Sequence, residues 1–84
     1  MPFDYLHVEI PAEFRNAPEK ALQMYRHELK ERAGMLKRLG YTREDALMRL
    51  STNLRWDWEV NPAPDYIREL EQQLAGIVEE VYSR

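Results

Sequence analysis

Apolar side chains recur every three or four positions through three stretches of this chain, and that period suits helices packed against one another. The clearest run is the last. Ile67, Leu70, Leu74, Ile77 and Val81 keep strict three–four spacing over two heptads, and Val78 and Tyr82 widen the stripe to the face of a bundle helix. Leu22, Tyr25, Leu29, Ala33, Leu36 and Leu39 form an earlier stripe, and Leu47, Leu50, Leu54 and Trp58 form a middle one.

Punctuation separates the stripes. Asn16 is suited to cap the first helix, Pro18 to its first turn, and Gly40 to the left-handed position just past its end. Thr42 then restarts a helix as N-cap, with Asp45 at the capping-box position and acids in the first turn. Tyr41, just before that cap, can staple onto Ala46. Asn61-Pro62-Ala63-Pro64 is a rigid loop that also opens the third helix. The expected helices cover 17–39, 43–59 and 62–82 of a single domain, 1–84, and short connections make neighbours antiparallel.

The start of the chain follows another rule. Within residues 5–10 Leu6, Val8 and Ile10 alternate with His7 and Glu9, the period of a half-buried strand, until Pro11 breaks any ladder. A lone strand must pair, be covered, or lie as a hydrated arm. The fold class expected is therefore all-α: a three-helix antiparallel bundle with an extended N-terminal arm over 1–15. A rival α+β arrangement exists, because Leu54, Trp56, Trp58 and Val60 also alternate with Arg55, Asp57 and Glu59. Residues 54–60 could then pair with 5–10 as two short strands. Helix is favoured there, since Trp58 prolongs the helical stripe.

Size and composition narrow the chemistry. A chain of 84 residues is one domain, and 44% hydrophobic with 32% charged residues suits a globular one. Cysteine is absent, which excludes disulfides, thiolate zinc sites, iron–sulfur clusters and cysteine nucleophiles. No run approaches the ~20 apolar residues that span a bilayer. The first ten residues carry acids where a signal peptide would be basic, so a cytoplasmic protein without membrane contact is expected.

Catalytic and metal motifs are missing. His27 and Glu31 share a helical face, but no second helix offers a matching pair, and Met24 stands where an E-x-x-H site needs its Glu. Asp4 and His7 fall on the arm, outside helical geometry. Neither Ser51 nor Ser83 lies in a G-x-S-x-G turn, and glycines at 34, 40 and 76 permit no phosphate loop. Adjacent acids such as Glu44/Asp45 and Glu79/Glu80 point apart on a helix. No metal, no cofactor and no catalysis are expected.

Two short segments resemble known recognition modules. LKRLGYTREDALMRLS is similar to a helix-turn-helix, which implies DNA binding through its second helix. The chain departs from that pattern at Leu36, where close helix crossing calls for a small residue, and at Arg49, where an apolar one should pack. Glu44 and Asp45 would also face phosphates. Leu39-Gly40-Tyr41 followed by Arg43-Glu44-Asp45-Ala46-Leu47 resembles the loop of ubiquitin-associated domains, which implies an aromatic displayed on a turn for ubiquitin or peptide recognition. The long first helix departs from those compact domains.

Interaction is the remaining class. Net charge is −3, with −3 on residues 1–14, +4 on 15–49 and −4 on 50–84, so a basic middle can attract its own acidic neighbour helix or an outside partner. Arg26, Lys30 and Lys37 align as a basic surface, interleaved with Glu28 and Glu31. On a helix Trp56 and Trp58 are about 200° apart, so only Trp58 joins the apolar stripe and Trp56 falls with Arg49 and Thr52. A stranded indole is a favoured contact at interfaces. Ala75-Gly76 offers a place for a neighbouring helix to approach closely, offsetting a mid-helix glycine that costs ~1 kcal/mol. The expected function is protein–protein association, as a homo-oligomer or a subunit of a complex, through Trp56, Trp58, Leu6, Val8, Ile10, Ala75 and Gly76. A nucleic-acid-binding regulator is the alternative.

Overall fold

A computed structural model of the protein describes residues 7–14 and 16–84. A short 3-10 turn at Ala12–Phe14 precedes α1, Pro18–Arg38, which is followed by α2, Arg43–Val60; α3, Asp65–Arg68; and α4, Leu70–Tyr82. No described residue is in a strand. The all-α expectation holds. The α+β rival is overturned because residues 54–60 are helical as the last part of α2, their amides bonded within the helix rather than to another strand.

Proline geometry sets two helix starts and corrects two expectations. Asn16 is not the cap of α1: Ala17 holds that position, with no side-chain bond. A residue before proline is pushed out of the α region, so Ala17 (φ −135°, ψ 76°) stays outside and Pro18 opens the helix. The third helix begins at Asp65 rather than 62, since Pro64 restricts Ala63 and itself remains extended at ψ 156°. That helix is also interrupted. Glu69 (φ −60°, ψ −21°) has 3-10 geometry, and the Gln72 amide bonds to its carbonyl three residues back, which divides α3 from α4.

The α1–α2 connection follows the glycine and threonine signals. Gly40 has φ +95°. The amide of Gly40 bonds to Lys37 and that of Tyr41 to Leu36, the paired bonds of a Schellman end. Thr42 Oγ1 accepts the Asp45 amide at 3.1 Å, as an N-cap should.

Cross-bundle contacts give the directions. Tyr25 near the start of α1 meets Asp57 and Trp58 near the end of α2, so those helices are antiparallel. Arg43 pairs with Glu79 and Arg55 with Glu71, so α2 and α4 are antiparallel as well. Ala21, Tyr25, Leu29, Ala33 and Leu36 fill the core from α1, and Leu50 and Leu54 fill it from α2. Ile67 of α3 and Leu70, Leu74, Ile77, Val78 and Val81 of α4 complete it. Leu39, expected in the first stripe, is 67% exposed because the helix has already ended and the chain is turning. The arm lies on its own chain: Val8 is only 6% exposed and Ile10 packs against the core. Leu6 lies outside the described residues.

Candidate functional site

At the end of the bundle where α1 starts and α2 finishes, the arm closes one side of an open cleft of about 750 Å³. The arm supplies His7, Val8, Glu9 and Ile10, while Tyr25, Asp57, Trp58, Asn61 and Tyr66 come from the helices and the α2–α3 loop. A helical bundle of this size has little interior room for such a space. The arm and the proline loop make it by standing off the helix ends rather than filling them.

Asp57 organises the cleft floor. The residue is 1% exposed, and a carboxylate this buried must find donors. His7 Nδ1 donates to Oδ1 at 2.5 Å, Asn61 Nδ2 to Oδ1 at 3.1 Å, and the Tyr25 hydroxyl to Oδ2 at 3.1 Å. Trp58 Nε1 then donates to the Tyr25 oxygen at 3.2 Å, so arm, α1 and α2 share one network. Burial, reinforced by the Asp57 charge, raises the Tyr25 phenol well above its ordinary range. Arg32, one helical stretch along α1, contributes positive charge to the same region; burial lowers its guanidinium, and its Nη1 is enclosed without a hydrogen-bond partner.

Sequence reasoning missed this constellation. The signal was Asp57 itself, three positions after Leu54 and seven after Leu50, and so on the apolar stripe of a helix. An acid in that position implies donors nearby. His7 could not be paired with it from spacing, because the two are separated by 50 positions.

Trp58 joins the intramolecular network, its ring 6.4 Å from that of Tyr25. Trp56 faces outward, 37% exposed. It lines a groove with Thr52, Arg55, Arg68 and Glu71, which continues into a second with Met48, Leu47, Leu74 and Ala75. Thr52, Arg55 and Glu71 belong to both, so Trp56 and Ala75 flank one continuous depression between α2 and α4. Gly76 does not belong to it. It opens onto the α1–α4 side, where a Cβ would meet nothing within 4 Å, so no close helix approach occurs there among the described residues.

Arg26, Lys30 and Lys37 turn toward α4. Arg26 donates to Gln73 at 2.7 Å, Lys30 pairs with Glu80 at 2.9 Å, and Lys37 reaches the carbonyls of Val81 and Arg84. The hydrogen bond from Lys30 and its charge hold the Glu80 carboxyl below its usual range. Tyr41 is engaged too: the Arg49 guanidinium lies 4.3 Å from its ring centroid and the Tyr82 hydroxyl donates to its carbonyl. No group of three or more metal-ligating side chains occurs among the described residues. Nor is any described helix long and apolar enough to cross a membrane. Comparison with protein-family models, curated proteins and solved structures finds no match.

Proposed function

We propose that this protein acts in the cytoplasm, without catalysis, by associating with protein through the α2–α4 groove, a second copy of itself being the occupant. One observation carries the reading: Met48, 67% exposed, and Trp56 stand about 12 Å apart along α2 beside a groove that contains Leu47, Leu74 and Ala75. Amphipathic helices dock into such grooves through apolar anchors one and two turns apart. Methionine adapts to irregular partners, and tryptophan is a frequent energetic anchor. The lips carry both signs, Arg55 and Arg68 with Glu59 and Glu71, so two facing copies can match opposite charges. The Arg55–Glu71 pair across the groove is exposed and rearranges at little cost.

Sedimentation across a low to high micromolar range tests this. The weight-average mass is expected to rise above the 10.1 kDa protomer, to fall back in a Met48→Ala/Trp56→Ala variant, and to change little with salt. A protein that stays a protomer throughout overturns self-association. Mass that collapses as salt rises, with the double variant unaltered, overturns the apolar groove as its cause.

A further inference from the structure

The cleft at the arm has a chemical character of its own, although it shares Trp58 with the α2–α4 groove. Its volume of about 750 Å³ falls in the range of small-molecule sites. Three aromatic side chains reach it from three different elements: Tyr25 from α1, Trp58 from α2 and Tyr66 from α3. The Tyr25 and Trp58 rings are inclined at 50°. Tyr25 is itself buried, so the partly buried rings of Trp58 and Tyr66 are the ones an occupant can reach, and aromatic rings favour a cation over an anion.

The charges agree. Among the described lining residues there is no lysine or arginine; the ionisable ones are His7, Glu9, Asp57, Tyr25 and Tyr66. Asp57 is committed to His7, Asn61 and Tyr25, and Arg32 offsets its charge without lining the cleft. Glu9 differs. It is exposed and has no ion pair among the described residues, so its carboxylate is available at the cleft's edge. Val8, Ile10, Pro11, Pro62 and Pro64 supply the apolar remainder. We infer that the cleft is a binding site for an organic ammonium ligand, its cationic head held by Glu9 and its apolar body by Trp58 and Tyr66.

Titration of benzylammonium against the intrinsic fluorescence of a Trp56→Phe variant, in which Trp58 is the single remaining indole, tests the site. Benzyl alcohol and benzoate serve as neutral and anionic counterparts of the same size. Benzylammonium is expected to shift Trp58 emission saturably and to bind about tenfold tighter than benzyl alcohol, the sum of a partly exposed cation–π contact and an exposed ion pair. Glu9→Gln should weaken the amine about threefold and leave benzyl alcohol unchanged. Equal binding of alcohol and amine, tighter binding of benzoate, or no saturable response to any of the three overturns the inference. So does an amine response indifferent to Glu9→Gln. Because Glu9 is exposed and outside the core, that variant tests the site without disturbing the fold.

Discussion

His7 Nδ1 lies 2.5 Å from Asp57 Oδ1, and this contact fastens the arm to the far end of α2. Asp57 in turn accepts from Tyr25 and Asn61, so deleting its carboxylate strands three donors around a buried gap. Asp57→Ala is expected to lower unfolding free energy by about 3 kcal/mol, read as a lower urea midpoint at unchanged slope. Asp57→Asn keeps the shape and one acceptor, and should cost less. A midpoint unmoved by Asp57→Ala would mean that the network contributes nothing to folding.

Tyr25 gives that network a signature in alkali. Its folded-state phenol is raised above the ordinary 10.0 by burial first and by Asp57 second. The folded state thus holds this proton more tightly than the unfolded chain. The associated stability is whole below pH 10.0 and is lost as pH climbs above it, where only the unfolded chain releases the proton. Absorbance titration should show one tyrosine that ionises only as helicity is lost. In Tyr25→Phe that component should vanish and the alkaline fall in stability should flatten. A Tyr25 that ionises freely in the folded state would contradict its burial.

The arm's docking is measurable through Val8. Replacing this buried side chain with Asp removes its apolar burial and adds a charge, and should destabilise the protein by about 2 kcal/mol or more. Because the arm packs on its own chain, the loss should be the same in dilute and in concentrated protein. A loss that shrinks as concentration rises would point to an arm completed by another copy.

What could be read from residue order was what depends on near neighbours. Three helices followed from three–four spacing, and the α1 end and α2 start followed from Gly40 and Thr42, whose bonds all close within five residues. The start of the third helix was misjudged because Pro62 and Pro64 act through the residues before them, and the break at Glu69 has no sequence marker. Charge blocks anticipated the attraction between helices, visible in Lys30–Glu80 and Arg43–Glu79, but not which residues meet. The cleft was invisible for a different reason. His7, Tyr25 and Asp57 are assembled only by the bundle's long-range closure, and no local spacing encodes that.

Two glycines separate the local rule from the tertiary one. Gly40 sits at φ +95°, where a Cβ clashes with its own backbone although it would meet no neighbour within 4 Å. Gly40→Ala should therefore destabilise by about 1 kcal/mol through backbone strain alone. Gly76 lies inside α4 with ordinary helical backbone and equally open space around its Cβ position. Gly76→Ala should stabilise by about 0.5–1 kcal/mol, since alanine loses less backbone freedom on folding and touches nothing new. Thermal midpoints of the two variants should move in opposite directions. If Gly76→Ala instead lowers the midpoint, and does so more strongly at high protein concentration, another chain must approach α4 at that glycine in the assembled state.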